Sequence, residues 1–301
     1  MGRSAMIVLY VLIGVYLLLL LGVALFSLYP ARSPLFFSPS SVGVPQEEIE
    51  IKLPKVGVIR GWWVEAKKPS AVVVLAHGYI MNRSELAPVA AQLHSWGCAS
   101  LLIDLRGHGK STRHKVGFGV REREEVAEAV RFARSWHPGV PMILMGSSMG
   151  AAACVFACEK DPSLADALIL DSVYGKLSEA IVGWWRFLGG RPLAAALYPV
   201  MWIAAPLAGL NPAGHDVARA IRQFTKPVLM IHGDQDDLAL PSEALRVQGA
   251  SNGNAKIVWM PGCGHSEGRW VHSEAYYRAL QDFLQELAPP EAVSPSGGKR
   301  P

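Results

Sequence analysis

The 301-residue sequence predicts an α/β fold: a mostly parallel sheet with helices on both faces. Three observations predict it. Short apolar runs at 71–76, 99–105, 141–145, 167–170, 228–231 and 256–260 read as strands buried on both sides. Helical stretches at 84–96, 122–136, 149–159, 242–249 and 269–287 fall between or after them. Two segments that alternate apolar and polar residues, 49–53 and 58–64, lead into the series as half-buried antiparallel strands. Asn82 and Glu85 form a capping pair at the start of the first helix.

Composition removes several classes. Half the residues are apolar, 18% are charged and nine are Trp, which excludes a disordered or collagen-like chain. The net charge of +4 is spread without a basic run, so no nucleic-acid partner is expected. Cys98, Cys154, Cys158 and Cys263 are too irregularly spaced for a disulfide framework or a zinc site and read as buried thiols.

From Ser4 to Ala31 no residue is charged, and residues 6–29 are almost continuously apolar. As a helix these 24 residues extend about 36 Å, enough to cross a hydrocarbon core of about 30 Å. Tyr29 stands at the far end, where an interfacial ring is expected. A cleavable signal has a shorter apolar region of about 7–15 residues, and the small-x-small candidate Gly22-Val23-Ala24 lies inside the run. Residues 1–29 are therefore expected to be an uncleaved single-pass anchor that partners the membrane. Positive charge flanking the run leans toward a domain outside the cytoplasm. Residues 30–46, with four prolines and four serines, read as a tether that offers no core surface. On that basis, removal of residues 1–45 is expected to leave a soluble, active domain. The domain proper is expected over 47–288, followed by a disordered tail at 289–301.

One interval breaks the strand–helix rhythm. More than fifty residues separate Asp171 from the strand at 228, and they carry Trp184, Trp185, Phe187, Tyr198, Met201 and Trp202. Residues 192–214 are uncharged, and Pro199 and Pro206 would interrupt a spanning helix. The interval, about 175–226, is expected to be a helical lid inserted after the sixth strand.

Gly146-Ser147-Ser148-Met149-Gly150 lies between an apolar strand and a helix of small residues, the setting that a G-x-S-x-G elbow requires. The glycines permit a sharp turn that lifts Ser148 above the sheet. The Met149 N–H, at a helix N-terminus, then faces a developing oxyanion. A serine nucleophile needs a base, and here the acid and the base follow it in the chain. The loop after the strand at 228 offers Asp234, Asp236 and Asp237. The loop after the last strand offers His265 between glycines. A second membrane crossing within 192–214 would put these groups on the opposite side from Ser148.

With these residues in view, the chain resembles the α/β-hydrolases over nearly everything after residue 48. His77-Gly78-Tyr79 resembles the family's HG-x oxyanion motif. The run from Asp104 to Ser111 resembles the D-x-R-G-H-G-x-S loop of its esterase, lipase and serine-aminopeptidase-like branches. His232-Gly233-x-x-Asp236 resembles the motif that carries the triad acid. The resemblance implies the α/β-hydrolase fold, with Ser148 as nucleophile, His265 as base and then acid, and Asp236 as its orienter. Tyr79 and Met149 would supply the oxyanion N–H groups. Asp171 is a rival acid position, used by some lipases. No cofactor and no metal are expected.

The expected reaction is serine hydrolysis of carboxylic esters, because alcohols leave more readily than amines, with a small ester or lipid as substrate. A peptidase, thioesterase or acyltransferase on the same residues is the alternative, as is a non-catalytic binding protein. Natural substrate and oligomeric state stay open.

Overall fold

The computed structural model describes residues 2–54 and 56–287. Alternation in the first strand, β1 (Glu47–Leu53), turns Ile49, Ile51 and Leu53 inward and leaves Glu48, Glu50 and Lys52 exposed. It pairs antiparallel with β2 (Gly57–Val64). Then follow β3 (Val72–Ala76), β4 (Ala99–Ile103), β5 (Met142–Ser147), β6 (Ala167–Asp171), β7 (Val228–Gly233) and β8 (Ala255–Met260). The eight strands form one sheet in the order β1-β2-β4-β3-β5-β6-β7-β8, with β2 antiparallel to β4 and parallel pairing from there to β8. Every residue of β3 to β7 is buried, which is why these strands read as apolar runs without alternation.

Ten α-helices are present among the described residues: α1 (Arg3–Leu28), α2 (Ala87–Ser95), α3 (Arg123–Trp136), α4 (Met149–Lys160), α5 (Leu177–Leu197), α6 (Val200–Ala208), α7 (Val217–Ala220), α8 (Pro241–Ala250), α9 (Gly268–Val271) and α10 (Ser273–Leu287). Val126, Val130, Ala151, Ala152, Ala244 and Val247 of α3, α4 and α8 share one core with the sheet. Val89, Leu93, Tyr276, Leu280 and Phe283 of α2 and α10 pack in the core on the other face. The alanines of α4 let its backbone approach the sheet closely. All four cysteines are buried and unpaired.

Sequence and structure differ at three places. The helix expected over 269–287 is divided into α9 and α10 at His272. The Asn82–Glu85 pair does not close a capping box. Asn82 does cap, accepting the Ser84 N–H at 2.9 Å, but the Glu85 carboxylate turns under the sheet end instead. The third difference concerns residues 30–46, which are packed and not a free tether. The Asn82 side-chain amide donates to the Ser33 and Pro34 carbonyls at 3.0 and 2.9 Å, and Arg32 donates to the Ser111 carbonyl at 2.7 Å. Leu35 and Val44 rest on the core beneath α2 and α10. The tail at 289–301 lies outside the described residues.

The interval after β6 holds α5, α6 and α7. α5 breaks at Gly189 and Gly190, where Gly190 adopts φ 72°, a conformation that disfavours other residues. α1 joins this layer. Its Leu20, Ala24 and Leu28, spaced at helical intervals, are buried against Trp185, Leu197, Val200, Ala204 and Ala208.

Two buried histidines tie the loops after β3 and β4 together. His77 accepts the Leu105 N–H at Nε2 (3.0 Å), and His108 accepts the Ile80 N–H at Nε2 (3.2 Å). The Nδ1 atoms face the Gly78 and Arg106 carbonyls at 2.7 and 2.9 Å, so this pattern assigns the proton to Nδ1 in both. Burial, reinforced by the neighbouring His77, pulls the His108 pKa from 6.5 down to about 3.

Two predictions follow from this packing. A chain starting at residue 46 should melt at least about 5 °C below the full chain, because the bonds and apolar contacts of residues 30–45 are lost. A melting temperature unchanged by truncation would show that the segment contributes no stability. The second prediction concerns pH. Unfolded His108 binds a proton near pH 6.5, whereas the folded group stays neutral until about 3. The unfolded state therefore binds more protons across that window. Stability is complete above about 6.5 and declines as pH falls, by up to a few kcal/mol. Melting curves from pH 7 to 4 should show that decline, and it should be shallower in His108→Gln.

Candidate active site

β5 runs into α4 through a single residue, Ser148, whose φ of 51° and ψ of −110° are unusual for a side chain with a Cβ. Such a conformation costs on the order of 1–3 kcal/mol and persists only where its surroundings enforce it. Here the Ser148 N–H donates to the Asp171 carbonyl at 2.8 Å. The flanking glycines are required by space. A Cβ on Gly150 would overlap the Ala76 carbonyl, and one on Gly146 would overlap the first turn of α4. The turn projects the Ser148 hydroxyl from the C-terminal edge of the sheet, where the loops after β3, β7 and β8 also end.

Those loops bring His265 and Asp236 to it. His265 Nε2 lies 2.8 Å from Ser148 Oγ, and its Nδ1 lies 2.7 Å from Asp236 Oδ2. The other Asp236 oxygen accepts the Leu238 and Ala239 N–H groups at 2.9 and 2.8 Å, which fixes the carboxylate in a fully buried position. The His265 side chain keeps 16% exposure, enough to reach a ligand in the adjoining cavity. Neighbouring carboxylates are engaged elsewhere. Asp234 accepts the Gly262 N–H at 2.6 Å, and Asp237 is exposed. Asp171 is buried beneath Ser148 with the Tyr276 hydroxyl at 2.9 Å; burial raises its pKa, and Arg269 and Tyr276 only partly oppose this. His232 Nε2 donates to the Ala239 carbonyl of the same loop at 2.7 Å, with burial lowering its pKa against the pull of Asp236.

The Tyr79 and Met149 N–H groups find no acceptor among the described residues, and both residues line the cavity beside Ser148. The Tyr79 ring does further work. Its hydroxyl donates to the Ser27 carbonyl of α1 at 3.0 Å, and the ring contacts Phe118 and Trp184 of α5 at centroid distances of 5.3 and 5.5 Å. Burial raises its pKa above the ordinary phenol value.

Arg269 was not singled out in the sequence, and Glu85 was read there only as half of a capping pair. They are 184 positions apart, and only folding makes them an ion pair. Glu85 also accepts the Gly78 N–H and the Ser147 hydroxyl, each at 2.7 Å. Burial pushes its pKa up, but Arg269, the Gly78 N–H and Ser147 outweigh that and hold it below the usual carboxylate range. Breaking a buried pair of this kind typically costs about 3–5 kcal/mol. The pair anchors Gly78, and so the backbone that carries the Tyr79 N–H. The sequence held one signal for it: both charges sit in segments otherwise destined for the sheet's C-terminal edge.

A cavity of about 530 Å³ opens above Ser148 and His265. Its far wall is apolar and comes from the interval after β6, through Ile181, Trp184, Trp185, Val200, Met201 and Ala204. Ser27, Phe36 and Phe37 of the N-terminal segment complete it. Glu85, Ser147 and Arg269 form a polar patch near Ser148.

Comparison with known proteins agrees with this architecture. A family model described as serine aminopeptidase, S33, matches residues 67–209. An uncharacterized protein of Mycobacterium tuberculosis is 26% identical over 269 residues, covering 86% of each chain. A monoacylglycerol lipase of Mycolicibacterium smegmatis is 27% identical over 245 residues, covering 70% of this chain and 86% of its own. Among solved structures, an esterase of Pyrococcus furiosus superimposes with a TM-score of 0.73 at 21% identity, over 87% of this chain and 99% of that one. The strand order, the strained elbow after β5 and these similarities together have one conclusion: the chain has the α/β-hydrolase fold.

Proposed function

We propose that the protein is a membrane-anchored serine hydrolase that cleaves carboxylic esters with apolar or lipid-like acyl groups. The observation that carries this reading is the unbroken hydrogen-bonded chain from Ser148 through His265 to Asp236. In the proposed reaction Ser148 Oγ attacks the ester carbonyl while His265 Nε2 takes its proton. The Tyr79 and Met149 N–H groups hold the oxyanion. His265 then returns the proton to the departing alcohol, leaving an acyl-enzyme. Water attacks that intermediate by the same route, and the acid leaves with Ser148 restored. Asp236 keeps the imidazole oriented and stabilises its charged form.

The apolar wall of the cavity supports an acyl chain as the recognised group. The names of two similar proteins, an esterase and a monoacylglycerol lipase, point the same way. An aminopeptidase would need a free carboxylate to receive a substrate amine. Of the two carboxylates on the cavity wall, Glu85 is paired with Arg269, and the exposed Glu267, whose Oε2 accepts the Gly264 N–H at 2.7 Å, is the one left for that role. In this reading residues 1–29 are the anchor, about 175–226 the lid, and 47–288 the catalytic domain, held outside the cytoplasm. Burial of Leu20, Ala24 and Leu28 supports retention of the anchor in the mature chain.

Two tests bear on the reading. A fluorophosphonate probe should label the wild-type protein and not Ser148→Ala; equal labelling of both would remove Ser148 from the nucleophile's role. Asp236→Asn should lower ester turnover by about three to four orders of magnitude with the fold intact, as amide substitution does in serine protease triads. Asp234→Asn and Asp237→Asn should each cost on the order of tenfold or less, since neither reaches His265. A large loss confined to either of those two would reassign the acid.

A further inference from the structure

The anchor and the lid are joined in a way that decides where the lid sits. α1 is 26 residues long, about 39 Å. Only its first half is free of other protein. The Tyr16 hydroxyl donates to the Ala196 carbonyl near the end of α5, and from Leu20 onward one face of α1 is buried against α5 and α6. The free portion, residues 3–15, extends about 20 Å, roughly 10 Å short of a hydrocarbon core of about 30 Å. With Arg3 at the far interface, a spanning α1 reaches the near interface at about residue 23. The stretch from Tyr16 to Val23 then lies in the near leaflet, and it carries the packed part of the lid with it.

The lid has the chemistry for that position. No charged residue occurs from Pro192 to Gly214. Its outward side chains include Tyr198, Trp202 and Leu207, all exposed in the protein alone. The two helices also run in the same direction. Tyr16 meets Ala196 at one end, while at the other Leu28 accepts the Val116 N–H and the adjacent Lys115 ammonium reaches the Leu207 carbonyl at 2.9 Å. The turn between α5 and α6 is thus the deep end, and Lys115 marks the level where a charge meets water.

We infer that the turn between α5 and α6 is sunk about 10 Å into the near leaflet beside α1, and that the cavity takes its substrate sideways from the bilayer. Two surfaces of the lid are then used at once. Its outer side meets lipid, while its inner residues Trp185, Val200 and Ala204 line the cavity. The cavity's exposed rim, with Phe36, Phe37, Phe187 and Trp270, is apolar as well, so an acyl chain moves from lipid to pocket without crossing water. The substrate is an ester whose acyl chain resides in the leaflet. The position of the lid is independent of the ester reading; the substrate class rests on it.

Depth measurement tests the position without reference to activity. The native cysteines are buried, so single exposed cysteines can carry a nitroxide in the full chain reconstituted in phosphatidylcholine–phosphatidylglycerol nanodiscs. Labels at Ala195→Cys and Tyr198→Cys should be more accessible to oxygen than to an aqueous nickel chelate, as should one at Leu9→Cys in the free half of α1. A label at Glu274→Cys, on α10, should favour the chelate. If Leu9 reads as lipid while 195 and 198 read as water, the sunken lid is overturned and the anchor stands. If all three read as water, lid and anchor fail together. Given a sunken lid, turnover of a long-chain ester should follow its mole fraction in the disc at fixed bulk concentration. Dependence on bulk concentration alone would overturn lateral entry, and absence of turnover on any ester would overturn the hydrolase reading while leaving the depth result untouched.

Discussion

The turn at Ser148 is the constraint around which the rest of the site is arranged. A non-glycine residue at φ 51° stays there only because its neighbours leave no alternative. Gly150 lies against the Ala76 carbonyl, so the N-terminus of α4 approaches the end of β3 as closely as backbone allows. The same closeness sets the Met149 N–H beside the loop that carries Tyr79. The candidate nucleophile and the N–H groups proposed to hold an oxyanion are therefore products of one packing event, the seating of a small-residue helix on a parallel sheet. Relaxing the elbow would move all of them together.

Around that turn, charge is distributed by burial. Asp236 lies within the protein, where two backbone N–H groups and His265 saturate it. Glu85, Arg269, Asp171 and Tyr276 form a second network beneath the elbow. It braces backbone, and the Ser148 hydroxyl meets His265 instead. The side chains that line the cavity from the interval after β6 are uncharged. The cavity thus has a polar end, where bonds can be broken, and an apolar end, where a chain can be held, with Ser148 at the boundary.

The N-terminal segment belongs to this arrangement. Ser27 and Phe37 line the cavity, the Tyr79 hydroxyl is held by the Ser27 carbonyl, and Asn82 holds Ser33 and Pro34. One loop, that after β3, is consequently in contact with the apolar helix, the lid and the candidate nucleophile. An apolar helix with such contacts is a wall of the candidate site, whatever else it does.

Much of this was legible in the amino-acid order, and the reason is locality. Strands buried on both faces must be apolar runs, α4 must be small to reach the sheet, and a G-x-S-x-G between them allows few geometries. Loops that follow parallel strands all emerge on one edge, so His265 and the carboxylates Asp234, Asp236 and Asp237 could be assigned to the edge of Ser148 with no coordinates; the resemblance of His232-Gly233-x-x-Asp236 picked Asp236 among them. Other features depend on partners distant in the chain. Whether Glu85 caps a helix or pairs with Arg269 is decided by a residue 184 positions away. Proline and serine in 30–46 suggest solvent, yet Asn82 and the core beneath α2 capture that stretch. The length of α1 says that it can cross a bilayer, but how much of it is free to do so depends on the lid. Local composition records what each segment can bury; only the folded chain determines which surface buries it.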